Sequence, residues 1–256
     1  MNRAARRART QKPGRGLDGL RKAVAAAKVP GAANEATDRA RRIVLAYLDA
    51  AVRQGSGPDT LVSNMKSGVP TVTAARVALS QPQEEAGYAC AHGCAFCCIL
   101  TGDDGGTITE SEARTLHAAL SPLAGQPDGR NWHPRACPAL DPETRACRAY
   151  EARPTICRSY VSYSAVACEQ ISQGIPAEGS GVLGAHATSL QVHSLCRAAL
   201  KGTAAVATYA LAEIAAAAVD GVAVDQALKR ARHRPRELAD ELKRVTAGAA
   251  RGKRTP

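Results

Sequence analysis

The sequence predicts a mainly α-helical protein with an irregular, cysteine-rich core that a metal centre nucleates. Eight of the nine cysteines lie between residues 90 and 168. Apolar residues recur at helical spacing on both sides of that region. The cysteine region itself is rich in Pro and Gly, which disfavours long regular elements. We therefore expect flanking helices and little or no β structure, at most a small hairpin.

Composition divides the chain into five predicted segments. A basic, largely disordered arm (residues 1–35) precedes a helical N-terminal extension (36–87). A cysteine-rich metal-binding domain (88–184) is followed by a helical C-terminal extension (185–247) and a basic tail (248–256). Residues 1–22 and 229–256 each carry a net charge of +7, so the basic character of the chain, +11 in total, belongs to its ends.

Four helices are predicted before the cysteines. A short basic helix covers residues 17–27 and ends before Pro30. Thr37 has the side chain of an N-cap for the next helix, which Gly55 ends. Two shorter helices follow at residues 59–66 and 69–79.

The region after the first cysteines has one strong helix signal. Thr109 and Glu112 have the spacing of a capping box, and the helix that they open runs to about Leu120. Residues 122–136 are predicted to form an irregular loop. Residues 139–140 and 146–150 are expected to pair as a small hairpin around a turn at Asp141.

The C-terminal third is predicted to be helical. Residues 185–219 form one helix, or two that are broken near Gly202. Another helix follows at residues 222–232, and Pro235 opens the last one at a first-turn position.

Four thiols stand close together in the segment Cys90-Ala-His-Gly-Cys94-Ala-Phe-Cys97-Cys98. Short spacing lets one loop fold its thiolates around an ion, and thiolates select zinc, iron–sulfur clusters or copper(I). In a reducing compartment, clustered cysteines are typical of metal ligands or catalytic thiols rather than of disulfides.

The number of centres stays open at the level of sequence. Two consecutive residues rarely point at the same ion, so Cys97 and Cys98 are expected to differ in role. Eight thiols allow two four-thiolate sites, or one site with spare thiols. The predicted metal ligands are Cys90, Cys94, Cys97, Cys98, Cys137, Cys147, Cys157 and Cys168.

Residues around the thiols have predicted supporting roles. Arg153 and Arg158, with Tyr150 nearby, are expected to neutralise and hydrogen-bond the thiolates. His92 and His133 are alternative ligands. Cys196 is interpreted as a small buried apolar residue. The four remaining histidines are interpreted as ordinary residues without partners: His117, His186, His193 and His233.

Residues 88–178 resemble the CxxCxxCC (YkgJ-type) family. The resemblance rests on the first cysteine cluster, on Cys137-Pro-Ala-Leu, on the pattern Y-x2-R-P-x2-C-R from Tyr150 to Arg158, and on Cys168. One departure is the gap of three residues between Cys90 and Cys94, where two are usual. The resemblance implies zinc or iron chelation, or an iron–sulfur cluster, and implies no settled reaction.

The predicted function is chelation of iron, as an iron–sulfur cluster, or of Zn²⁺, with a structural or electron-carrying role. A metal- or thiol-dependent enzyme, either an oxidoreductase or a protein-modifying one, is an alternative. No catalytic residues can be named. A second alternative is nucleic-acid or other polyanion binding through the basic ends. The sequence has no apolar run long enough to span a bilayer and no secretory h-region, so a cytoplasmic location is expected.

Overall fold

The structure is a computed structural model that describes residues 16–29, 32–80, 87–99, 105–177, 180–182 and 184–252. Residues 1–15, 30 and 31 of the predicted basic arm and the last four residues of the basic tail lie outside these ranges. Within them, no helix has the length and apolar character needed to cross a membrane.

Four helices precede the cysteine region: α1 (Leu17–Ala26), α2 (Asn34–Arg53), α3 (Pro58–Ser67) and α4 (Val69–Leu79). Each presents an apolar face, and Leu20, Val44, Leu48 and Leu61 are completely buried. The turn between α3 and α4 depends on Gly68, which adopts a φ of 92° that disfavours residues with a Cβ atom. These four helices confirm the predicted ones to within four residues at either end.

The middle of the chain consists of short elements. It contains β1 (Thr107–Ile108), α5 (Glu110–Leu120), α6 (Gly129–Trp132), α7 (Thr155–Ser159), β2 (Tyr160–Ser162), α8 (Ala165–Ser172) and β3 (Ser180–Val182), with 3₁₀ turns at Phe96–Cys98, Ser121–Leu123 and Tyr150–Ala152.

The last part of the chain is again helical. It contains α9 (Gly184–Ala199), β4 (Tyr209–Ala210), α10 (Leu211–Val219), α11 (Val224–Arg230) and α12 (Glu237–Gly252). The break between α9 and α10 includes Gly202, as the sequence predicts. Helices dominate and the strands are no longer than three residues, which confirms the mainly α fold with very little β structure.

Buried apolar side chains form two clusters. The helical cluster joins α1 to α4 with α9 and α12, and Leu190 and Leu195 of α9 lie within it. The cysteine-side cluster joins α5, α10 and α11 with the segment from Ala136 to Ala149. Helices α10 and α11 therefore pack beside the cysteine region although they follow α9 in the chain. The five-segment division stays a prediction.

A small polar cavity lies where the two clusters meet. Side chains from both halves line it, including Thr71, Glu112, His186, His193 and Thr208. The strands β1 and β4 pair beside it, through Thr107 with Ala210 and Ile108 with Tyr209. Apolar packing is therefore interrupted by polar groups at this boundary.

Three local expectations are wrong. Thr37 is not an N-cap: it is buried in the first turn of α2, and its N–H donates to Ala33 O at 3.1 Å. The loop at residues 122–136 contains helix α6, because Asp128 and Asn131 form a capping box. Pro235 does not open the last helix, which begins two residues later at Glu237.

The expectation that the four remaining histidines lack partners is also wrong. His117 Nε2 lies 2.8 Å from Val222 O. The buried His193 ring contacts Thr71 Oγ1 at 3.3 Å through Nδ1 and Ala207 O at 3.0 Å through Nε2. These contacts fix the ring between α4 and the segment that leads to β4. His193 therefore serves as a neutral link within the core.

We expect His193 to resist protonation. Burial lowers its pKa from 6.5 to about 4. A lowered pKa means that the unfolded chain takes up the proton first as the pH falls. Stability from this residue is thus complete above pH 6.5, and about 3 kcal/mol of it is lost between pH 6.5 and 4.

NMR of the His193 ring checks this expectation directly. Its resonances should remain those of a neutral imidazole down to about pH 4. A midpoint near 6.5 in the folded protein would show that the ring is accessible to water and that the acid sensitivity has another origin.

Candidate metal centre

The first cysteine cluster lies in an irregular segment that is fixed at several points. Ala89 N–H donates to Ser162 O at 2.8 Å, which attaches the segment to the end of β2. Gly93 has a φ of 78°, and a Cβ atom there would lie 3.0 Å from Thr144 O. Glycine therefore lets the chain turn between Cys90 and Cys94 while it passes close to the Asp141 turn.

The downstream cysteines come from four different places. Cys137 follows α6, Cys147 lies in the small hairpin, Cys157 is on α7 and Cys168 is on α8. The hairpin forms as predicted, with a bridge between Leu140 and Cys147. Its turn is closed by Asp141 Oδ1, which accepts hydrogen bonds from the N–H groups of Glu143 and Thr144.

Backbone contacts bring the two sets of cysteines together. Cys137 N–H donates to Cys98 O at 2.8 Å, and Ile99 forms a β-bridge with Ala136. Helix α8 packs against the 3₁₀ turn at Phe96–Cys98. The two cysteine segments, well separated in sequence, thus form one region of the molecule.

One group of thiols forms around Cys94. Its pKa is raised by burial and further by the charges of the Cys97, Cys168 and Cys90 thiolates. Repulsion of this kind indicates that Cys97, Cys168 and Cys90 lie within electrostatic reach of Cys94. We call Cys90, Cys94, Cys97 and Cys168 the first thiol group.

A second group forms around Cys157. Burial raises its pKa well above the ordinary value, and the Cys137, Cys147 and Cys97 thiolates add to the shift. Burial likewise raises the pKa of Cys137 to about 12, with the charge of Cys147 contributing. Cys98 interacts with Cys137 and Cys157. We call Cys98, Cys137, Cys147 and Cys157 the second thiol group.

Cys97 and Cys98 lie where the two groups meet. Their sulfur atoms are 4.0 Å apart and share a hydrogen bond. This bond lowers the pKa of Cys97 to about 7 and raises that of Cys98. The pKa values of the two neighbours therefore shift in opposite directions, although Cys97 also lies within reach of the second group. Their expected difference in metal-binding role stays a prediction.

The three predicted supporting residues form a compact unit beside the second group. The Arg153 guanidinium lies 3.5 Å from the centre of the Tyr150 ring, a cation–π contact. Arg158 donates to the carbonyl oxygens of Arg153 at 2.9 Å and Glu151 at 2.6 Å. Although burial raises the pKa of Cys147, the charges of both arginines lower it. Both arginines act on this thiol through their charge, and no hydrogen bond from either arginine to it is seen among the described residues.

The two candidate histidine ligands have other surroundings. His92 is exposed to solvent on the turn between Cys90 and Cys94. His133 Nδ1 accepts the N–H of Arg135 at 3.1 Å, so one ring nitrogen already has a partner.

Glu112 has a role that the sequence showed only in part. Its Oε2 accepts the N–H and hydroxyl of Thr109, each at 2.9 Å, which is the predicted capping box. Its Oε1 accepts the N–H of Thr155 at 2.7 Å. Because Thr155 begins α7, this carboxylate ties the helix that carries Cys157 to α5. The capping pattern predicted the first contact, and nothing local in sequence indicated the second.

The donor set fits a thiophilic metal in its chemistry. All nine cysteines are free, and the eight in question lie in the two groups above. Within the described residues, no three His, Cys, Asp or Glu side chains already stand in the arrangement of a closed metal site. The eight thiols lie in one region of the molecule, but their sulfur atoms are not arranged as the ligands of a closed site. A cation would remove the repulsion between thiolates that raises their pKa values.

Cys196 lies apart from both groups. It is completely buried in the helical cluster, and burial raises its pKa to about 12. Its surroundings are those of a small apolar residue in a helix.

Comparison with known proteins agrees with this geometry. Residues 89–175 match the family model CxxCxxCC, which is described as a putative zinc- or iron-chelating domain. No protein of curated function and no solved structure gives a significant match. The matched residues contain all eight thiols of the two groups. Residues 89–175, about a third of the chain, are therefore similar to the CxxCxxCC domain.

Proposed function

We propose that the protein chelates zinc or iron at two centres, each held by four cysteine thiolates. The observation that carries this proposal is the division of the eight thiols into two groups that meet at Cys97 and Cys98. Four thiolates complete the shell of a structural zinc ion and equally that of an iron–sulfur cluster. The first group has only three thiols without Cys97, and we therefore assign Cys97 to it.

The two metals would supply different chemistry. Zinc has no redox activity and would stabilise the short elements between Gly93 and Ser172. An iron–sulfur cluster would do the same and also carry electrons. Either role suits a region whose own apolar core is small, because metal binding to folded ligands contributes to folding free energy.

The proposal is tested by purifying the protein without oxygen and measuring metal content and visible absorption. We expect two zinc ions per chain in a colourless protein, or iron and sulfide with broad visible absorption. The two outcomes distinguish the metals. A protein that binds no metal and unfolds at the same temperature with and without added zinc or iron would contradict chelation itself.

Cysteine substitutions test the division into two centres. Cys94→Ser should remove the first centre and Cys147→Ser the second, so that each variant retains half of the metal. Cys196→Ser, a matched change outside both groups, should retain all of it. Complete loss of metal in both single variants would indicate one shared centre instead.

A further inference from the structure

A basic surface lies far along the chain from the cysteines, at the end of α11 and in the connection to α12. Within residues 229–236, five of the eight side chains are Lys or Arg and none is acidic. The five cations are all exposed. We call this segment the basic loop; its cations are Lys229, Arg230, Arg232, Arg234 and Arg236.

The backbone of the basic loop is fixed to the body of the protein. Ala210 N–H donates to Ala231 O and His233 N–H donates to Thr208 O, both at 2.9 Å. Arg232 also forms an isolated β-bridge with Tyr209 of β4. The backbone in the middle of the basic loop is therefore held at a defined position.

A sixth cation, Arg197, packs under the basic loop and contacts its backbone. Arg197 of α9 is partly buried, and its guanidinium donates to Val206 O at 2.8 Å and Pro235 O at 2.7 Å. Burial lowers its pKa, and the nearby charge of Arg232 lowers it further. Two like charges are thus held close together, an arrangement that costs stability unless an anion compensates it.

Acidic partners are scarce at this surface. Some arginines elsewhere have acidic partners: Arg114 contacts Glu110 and Asp225, and Arg130 contacts Asp128 and Asp220. In the part of the chain that the structure describes, Lys229, Arg230, Arg232 and Arg234 form no ion pair, and Arg236 reaches Glu237 only at 4.0 Å. The surface keeps its positive charge free for an external anion.

We propose that the basic loop binds the phosphate backbone of a nucleic-acid duplex. Arginine donates bidentate hydrogen bonds to phosphate, and a row of fixed cations matches a row of phosphates. The loop has no Leu, Ile, Val, Met or Phe to insert into a lipid surface. It also lacks Tyr and Trp for stacking on unpaired bases. Binding should therefore follow the charge of the duplex and not its sequence.

The test measures binding of the full-length protein to fluorescent DNA and RNA duplexes of about 20 base pairs, by anisotropy, over a range of salt concentrations. One variant carries K229Q, R230Q, R232Q and R234Q. The matched control carries R42Q, R53Q, K66Q and R76Q, which removes four exposed cations from α2, α3 and α4. Both variants lose the same net charge, so the charge of the basic ends affects them equally.

The loop variant should bind either duplex about 100-fold more weakly at low salt than the control variant does. The slope of log affinity against log salt should become shallower by about 0.9 for each phosphate that the variant no longer neutralises. The single change R234Q, at one exposed position, should make the slope of log affinity against log salt shallower by about 0.9. It serves as a test that does not depend on the folding of the fourfold variant.

Equal affinity of the loop and control variants for both duplexes would overturn the proposal. A second outcome would also overturn it: the loop variant binds phosphatidylserine vesicles more weakly than the control does, while the two variants bind both duplexes equally. That result would assign the surface to a membrane. Weaker binding of one duplex, DNA or RNA, by the loop variant alone supports the proposal and identifies the nucleic acid.

Discussion

Replacing Glu112 by Ala is expected to destabilise the protein by about 3–5 kcal/mol. The buried carboxylate accepts three hydrogen bonds. A hydrogen bond to a charged group contributes about 1.5–3 kcal/mol. The change leaves the N–H groups of Thr109 and Thr155 without their acceptor. Since Thr155 begins the helix that carries Cys157, metal affinity at the second thiol group should fall as well. Chemical denaturation and metal competition measure the two effects.

Glu110→Ala is the matched control. Glu110 lies in the same first turn of α5, but its partners are the partly exposed Arg114, at 3.1 Å, and the Tyr209 side chain. Such surface ion pairs contribute about 0–1 kcal/mol. If the two alanine variants lost equal stability, the contact between Glu112 and Thr155 would not hold α7 in place.

Gly129→Ala is expected to cost about 3 kcal/mol or more, through overpacking. A Cβ atom at this position would lie 2.2 Å from Cys137 O and 3.0 Å from Leu140 Cβ. The distance between α6 and the backbone at Cys137 must therefore increase to make room for the added atom. Because Cys137 N–H donates to Cys98 O, the displacement should also separate the two cysteine segments. Thermal unfolding and metal stoichiometry would record both consequences.

Gly57→Ala provides the comparison. This glycine precedes α3 with a φ of −80°, and an added Cβ atom would meet nothing within 4 Å. Its substitution should change stability by less than about 1 kcal/mol. Full metal binding and unchanged stability in Gly129→Ala would mean that α6 and the Cys137 segment are further apart than the structure has them.

Local signals predicted much of the fold. The capping box at Thr109 and Glu112 marked the start of α5, and the helices before the cysteines follow from apolar spacing. Helix α6 was missed because Pro127 and Gly129 indicate a loop, although Asp128 and Asn131 carry the capping signal. Thr37 was misplaced because a hydroxyl in the first turn of a helix resembles a cap in sequence.

The candidate site was predictable in composition but not in arrangement. Thiol spacing identified the eight cysteines, since no other residue type clusters in this way. The division into two groups depends on how Cys168 of α8 and Cys157 of α7 approach the first segment. Contacts between distant segments decide this, and so does the link from Glu112 to Thr155 across 43 positions. The residue pattern of a short segment predicts neither the two thiol groups nor the link from Glu112 to Thr155.

The polar cavity between the helical and cysteine-side clusters bears on how the protein unfolds. Thr107 Oγ1 and Thr208 Oγ1 at this boundary are buried without a hydrogen-bond partner among the described residues. A boundary of that kind gains less free energy on closing than apolar packing does. We therefore expect the two halves to open separately, so that the cysteine-side half opens while α1 to α4 remain folded against α9. Loss of metal then becomes a local event that need not expose the helical cluster to proteolysis or aggregation.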